Sequence, residues 1–378
     1  MKSHIFSART GLEVLVIGFF ALALALSFTA KLSAEGTPAT IIAVDLDGDG
    51  FLDLVMTDRV SNSVSTFMGN GDGTFQAARH FPVGSRPVSL TLGDFDADGL
   101  PDMAVANLYS DDISILHGNG DGTFQPMGSF NVGISPKAVN TLDLNGDGLL
   151  DLAVANFGSN YVSIHLGNGD GTFQPSLNIP VNNGPKTVPF EDFNGDGLTD
   201  IAVAHWGSNN VLLLLGDGAG SFRPGGVFST GRNPIAIAIA DLNQDGIPDM
   251  ATSNYGSNDV TVLIGRPDGS FQRTDYPVVG ENPRWVAVAD LNGDGLLDMV
   301  TANLGSDSIS ILLGMGDVTF QAAKNFPVGM SPSAIAVGDF DRDGLPDLAV
   351  ADFSLSYVTI MIGDGEGNFV RKEGAVEP

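Results

Sequence analysis

The chain has 378 residues, no cysteine, 49 glycines, and 17 Lys and Arg against 45 Asp and Glu, a formal charge of −28. So acidic a balance argues against a nucleic-acid partner, whose phosphates demand a basic face. The lack of cysteine excludes a disulfide framework, so any staple in the fold has to be of another kind.

The first 35 residues differ from the rest. Lys2 and Arg9 precede the almost wholly apolar run "VLVIGFFALALALSFTA" at residues 14–30. A basic stretch followed by an apolar run reads as an export signal, with small residues for cleavage at Ser33 and Ala34. The run is also close to the roughly 17 residues that can span a bilayer, so a retained anchor is the alternative. Either way the remainder is expected outside the cytoplasm: secreted, periplasmic or at the cell surface. A membrane association is expected only if the segment is kept.

From residue 36 onward the chain repeats. An acidic run starts at Asp45 ("DLDGDGFLD") and recurs at Asp94, Asp143, Asp192, Asp241, Asp290 and Asp339, always 49 residues on. A fixed period of this size means stacked or radially arranged units. Residues 36–378 are therefore expected to be one domain of seven units.

One unit, residues 87–133, contains four strand-like runs: "VSLTLGDF", "PDMAVAN", "ISILHG" and "TFQPMGSFNV". Short apolar or alternating runs bounded by Gly, Asn and Asp are strands joined by hairpins. The "GNGDGTF" connection recurs with variants, and its Phe is present every time: Phe75, Phe124, Phe173, Phe222, Phe271, Phe320 and Phe369. One identical aromatic per unit reads as a packing anchor between neighbouring sheets. The expected fold is all-β, a seven-bladed β-propeller of four-stranded antiparallel blades, since a solenoid would need atypical capping repeats. The first strand of each unit should be innermost, and "NFVRKEGAVEP" at the C-terminus should supply the last blade's fourth strand.

The acidic runs carry the chemistry. Loop positions 1, 3, 5 and 9 are Asp45, Asp47, Asp49, Asp53; Asp94, Asp96, Asp98, Asp102; Asp143, Asn145, Asp147, Asp151; and Asp192, Asn194, Asp196, Asp200 in the first four units. The last three units have Asp241, Asn243, Asp245, Asp249; Asp290, Asn292, Asp294, Asp298; and Asp339, Asp341, Asp343, Asp347. Position 6 is always Gly, which permits the bend. Oxygen ligands at this spacing suit a hard cation, and six to eight of them with flexible geometry suit Ca²⁺ better than Mg²⁺. Up to seven Ca²⁺ ions are expected, one per unit. A metal-free Asx turn explains one copy as well, but not seven with the same minimum of three carboxylates. An EF-hand also begins this way but needs Glu at position 12 in a helix; here that position is Met56, Val105, Val154, Val203, Thr252, Thr301 and Val350.

The 49-residue unit, with "DFDRDGLPDLAVAD" followed by "VTIMIGDGEGNF", resembles FG-GAP/VCBS repeats, the units of the integrin α-subunit propeller and of many exported bacterial proteins. The resemblance implies a propeller whose D-x-D-x-D-G-x-x-D loops bind Ca²⁺ between a blade's first two strands. Asn at position 3 in four copies keeps an oxygen and loses a charge, which implies weaker binding there.

No catalytic constellation stands out. His4, His80, His117, His165 and His205 fall at unmatched repeat positions with no ligand spacing, and no nucleophile-elbow pattern occurs. A non-catalytic binding or adhesion module, a monomer with a protein or glycan ligand, is the leading expectation. A polysaccharide lyase or hydrolase on a propeller scaffold and a structural envelope scaffold are the alternatives. Arg86, Lys137, Lys186, Arg232 and Arg284 are expected in the turns entering the blades, on the face opposite the acidic loops. Trp206 and Trp285, the only tryptophans, are expected on the same side with Tyr109, Tyr255 and His205. Two readings stand: solvated loop residues, or a cationic, aromatic-lined rim suited to an anionic glycan or an acidic protein segment.

Overall fold

A computed structural model describes residues 38–276, 279–353 and 358–372. The N-terminal segment expected to be a signal or anchor lies outside the described residues, as do residues 373–378 of the expected last strand. Among the described residues, no helix is long and apolar enough to cross a membrane.

Seven antiparallel sheets follow one another, each a meander of four strands. Blade two is typical, with strands Pro87–Gly93, Asp102–Asn107, Asp112–Gly118 and Phe124–Asn131. Only blade four departs from this pattern. Its first strand is broken into Pro185–Thr187 and Phe190–Glu191, because Pro189 stands between them and has no N–H to give the ladder. The first strands of neighbouring blades touch all the way round, and the strand Pro38–Val44 closes the circle on Pro332–Gly338 of blade seven. These first strands surround a central channel. Phe369–Arg371 pairs with Val358–Gly363 as blade seven's outer strand, so among the described residues the ends exchange no strand.

Burial follows position in the blade. All seven second strands are buried along their whole length, which is why each reads as a near-continuous run such as "DMAVAN" or "DLAVAN". They lie between the two adjoining blades and have no solvent face. The outer strands are largely exposed instead, as in Phe124–Asn131, and some alternate, as in Arg79–Pro82.

Each pair of neighbouring blades encloses one apolar cluster, and the cluster joining Leu54, Met56 and Phe67 to Ala349, Ala351 and Ile360 seals blade one to blade seven. Each fully buried Leu, Val or Phe contributes about 1.5–3 kcal/mol. The repeated Phe serves this packing. Phe124 meets Phe81 of the preceding blade at 5.6 Å, Phe271 meets Phe228 at 5.0 Å and Phe369 meets Phe326 at 6.1 Å.

Candidate functional site

The acidic loops share one face of the ring with the "GNGDG" turns. In blade one, the Asp45 carboxylate accepts from the N–H groups of Gly48 at 2.8 Å and Gly50 at 3.0 Å, which curls the loop around position 1. Asp49 Oδ1 accepts from Phe51 N at 2.8 Å. The curl requires left-handed backbone at position 4, and blades two, five and seven hold Ala97, Gln244 and Arg342 there at φ near 60°. Position 12 is a buried strand residue in every blade, so the loop is no EF-hand.

Position 9 has a second task that the sequence reading did not assign. Asp53 is buried, and while its Oδ2 accepts from Leu46 N at 2.8 Å its Oδ1 accepts from Gly69 N at 2.7 Å. One carboxylate thus ties the acidic loop to the turn between the third and fourth strands. Burial pushes these carboxyls up, against the pull of the two N–H donors: Asp53, Asp200, Asp249 and Asp298 to about 6, and Asp347 to about 7. Asp102 and Asp151 move the same way, burial again being the largest cause.

The donor set fits a hard divalent ion. Carboxylate oxygens of Asp45, Asp47 and Asp53, of Asp94, Asp96 and Asp98, and of Asp339, Asp341 and Asp347 come within 4.8 Å of one another in each loop. Asp341 Oδ1 is buried with no hydrogen-bond partner, an oxygen left for a cation. In blades three, five and six the position-3 amide turns its nitrogen to the position-5 carboxylate: Asn145 to Asp147 at 3.0 Å, Asn243 to Asp245 at 3.0 Å and Asn292 to Asp294 at 2.9 Å. Ligation there requires that amide to turn its oxygen inward. Bound Ca²⁺ would supply charge neutralisation.

One histidine departs from expectation. His117 stands against the blade-two loop, its Nδ1 2.9 Å from Asp96 Oδ2 and 3.3 Å from Asp102 Oδ1, although its spacing in the sequence suggested no ligand role. Five other blades carry Leu166, Leu215, Ile264, Leu313 and Ile362 at that register. Comparing the repeats at this position would have singled it out.

The opposite mouth of the channel gathers positive charge. Lys137, Lys186 and Arg284 are not in turns; each is the second residue of an inner strand, half-buried where the channel opens. Arg59 joins them from the end of blade one's second strand, a residue that the sequence reading missed. Its register in the 49-residue repeat is that of Phe157, Trp206, Tyr255 and Phe353. The cations sit over these rings. Arg59 and Arg284 lie 4.7 and 4.9 Å from the Phe353 centroid, Lys137 and Lys186 lie 5.6 and 4.9 Å from Phe157, and Lys186 is 4.7 Å from Trp206. Trp206 in turn packs on Tyr255 at 5.3 Å. Arg86, in the turn before blade two, covers the Tyr109 ring at 4.5 Å and donates to its hydroxyl.

Among the described residues none of these five cations is ion-paired with a carboxylate. Burial, then mutual repulsion, lowers Lys137 to about 8 and Lys186 to about 7. Arg59 falls to about 10 for the same two reasons, and Arg284 to about 10 through burial.

The other rim residues are placed differently. Trp285 does not face the rim but packs, half-buried, against three inter-blade apolar clusters. It follows Arg284 in the strand, and successive side chains point to opposite sides. His205 is fully buried at the end of a second strand. Arg232 is exposed in the turn before blade five, outside the ring of aromatics.

The sequence matches the FG-GAP-like repeat family over residues 45–105, 94–154, 143–203, 192–252, 241–301 and 290–350. No curated protein matches the chain. Among solved structures, it is similar to a putative 6-phosphogluconolactonase from Bacteroides fragilis, with 16% identity over 90% of this chain and 95% of that one and a TM-score of 0.65. It is similar to a periplasmic gluconolactonase of Pseudomonas aeruginosa, with 17% identity over 84% and 88% of the two chains and a TM-score of 0.60. An Agrocybe aegerita lectin that recognises non-reducing terminal N-acetylglucosamine has 20% identity over 84% and 86%, with a TM-score of 0.53. At such identities the likeness is one of fold.

Proposed function

The chain belongs to the FG-GAP-like repeat family, and on that premise we propose that it is an exported, calcium-binding propeller acting as a non-catalytic binding module for a protein or glycan ligand. The carrying observation is the division of labour between its two faces. Loops suited to a hard cation occupy one face, and cations line the channel mouth on the other. Among the described residues these cations sit on aromatic rings and are not ion-paired with a carboxylate. Ca²⁺ in the loops would hold blade to turn and leave the opposite mouth to contact a ligand. The basic and apolar start of the chain supports export.

The test offers the calcium-loaded protein a panel of acidic and neutral glycans, acidic peptides and aldonolactones. Retention and the chemical state of each compound are read by mass spectrometry. Retention of an unchanged ligand is expected. A shortened glycan or an opened lactone, produced faster than in buffer, would overturn the non-catalytic reading. Retention of nothing would leave a scaffold.

A further inference from the structure

Resting on the binding-module reading, we infer that the channel mouth is a socket for the clustered carboxylates of an acidic protein segment, inserted end-on among Arg59, Lys137, Lys186 and Arg284.

The ring holds its cations with aromatic faces where proteins ordinarily use carboxylates. Phe353 carries two of them, Arg59 and Arg284; Phe157 carries Lys137 and Lys186. A ring quadrupole orients a cation without cancelling its charge. The positive potential therefore survives inside walls of low dielectric, where it is strong. Shared rings gather the cations, Arg59 with Arg284 at Phe353 and Lys137 with Lys186 at Phe157. In keeping with that nearness, Arg59, Arg86 and Arg284 each depress Lys137, which is on another blade. Arg59 Nε is buried with no hydrogen-bond partner, a donor left over for an incoming oxygen. Beside it, Arg59, Asn62, Ser85, Arg86 and Tyr109 help line a cavity of about 240 Å³.

Two features decide the class of anion. Within the ring the aromatic faces of Phe353, Phe157 and Trp206 carry the protein's own cations, and Trp206 also packs on Tyr255. A sugar ring therefore finds a largely exposed aromatic at the edge, in Tyr109, rather than among the cations. A long polyanion lying across the face would also meet the carboxylates of the surrounding turns, Asp111, Glu281 and Asp307 among them. A short acidic tip entering along the axis avoids that repulsion and reaches all the cations at once. The neighbouring first strands form a closed ring, which fixes the positions of these charges before the ligand arrives.

The experiment uses the full calcium-loaded protein and fluorescein-labelled hexaglutamate, with hexaglutamine as the neutral control, read by anisotropy at low salt. Hexaglutamate is expected to bind and hexaglutamine not to. Lys137→Met/Lys186→Met should weaken binding by at least about tenfold, whereas Arg232→Ala, outside the ring, should leave it unchanged. A second readout needs no variant. Hexaglutamate should protect Lys137 and Lys186 of the wild-type protein from acylation by a small N-hydroxysuccinimide ester, as read by peptide mass spectrometry. Equal affinity in the double variant, no protection of either lysine, or binding of a sulfated hexasaccharide but not of hexaglutamate would overturn the assignment. The function proposed above survives those outcomes if another ligand is retained unchanged, and falls only to turnover or to retention of nothing.

Discussion

Asp53 Oδ1 accepts a hydrogen bond from the backbone N–H of Gly69 at 2.7 Å, and the same bond recurs in every blade, through to Asp347 and Gly363 at 2.9 Å. The other oxygen of each carboxylate holds the N–H of loop position 2. Asp298→Ala would leave two N–H groups, those of Leu291 and Gly314, without an acceptor. The expected loss is about 2–5 kcal/mol, measured by urea unfolding in EGTA so that metal plays no part. A loss below about 1 kcal/mol would show that this carboxylate is no structural tie.

The same groups set a pH dependence in the metal-free protein. Their folded values of about 6, and about 7 for Asp347, exceed the ordinary 3.8. The folded state therefore holds more protons than the unfolded one across that window, and stability falls as pH rises through it. Exposed Asp121 and Asp170, held low by Thr123 and Thr172, oppose this only in more acidic solution. His165 and His205, which burial lowers to about 4, and Lys186, lowered to about 7, oppose it within the window, but the seven raised carboxyls outnumber them. In EGTA the melting temperature should drop between pH 5 and pH 7.5, and Ca²⁺ should flatten the slope. A melting temperature that climbs over this range in EGTA would contradict the shifts.

Position 3 should sort the loops into two classes. Blades one, two and seven offer Asp47, Asp96 and Asp341, while the other four offer Asn145, Asn194, Asn243 and Asn292. Calorimetric titration with Ca²⁺ should show a tighter and a weaker class. Asn145→Asp should move one loop into the tighter class, a gain of about an order of magnitude in affinity. A single class unaffected by the substitution would mean that charge at position 3 does not tune binding.

Blades are also joined on the ring's cationic face. Asn160, at φ 54°, accepts from Gly184 N of the next blade at 2.8 Å, and Asn62 holds Arg86 N in the same way at 2.7 Å. Asn160→Ala removes the acceptor and places a Cβ-bearing residue without a stabilising side chain in left-handed backbone, for an expected cost of about 1–3 kcal/mol. Asn160→Gly, free of the backbone strain, should cost less. Equal losses in the two variants, read by urea unfolding, would assign the whole effect to the hydrogen bond.

Much of this architecture was legible because the period never slips. Seven acidic loops at 49-residue spacing, each followed by a buried strand and a Phe-bearing turn, place the strands and the acidic face from the sequence alone. The cation ring was only half legible. Grouping basic residues by nearness to a turn put Arg232 with Lys186, whereas the repeat register separates them and pairs Lys186 with Lys137 and Arg284. Arg59 was missed because it occupies the register of an aromatic. Trp285 was misplaced because adjacent strand residues face opposite ways, one to the channel and one to the packing. The bridging role of Asp53 could not be read at all, since its partner Gly69 is brought near only by folding.

Whether the acidic loops are a calcium staple is decided most directly by the melting temperature of the full chain in EGTA and again in millimolar Ca²⁺ at pH 7.5. Ions that bind the folded state alone add stability with the logarithm of their concentration, and several sites acting together should raise the melting temperature by about 10 °C or more. Magnesium at the same concentration should give a smaller rise, because it accepts an irregular oxygen cage less readily. A melting temperature identical in EGTA and in Ca²⁺ would contradict the account.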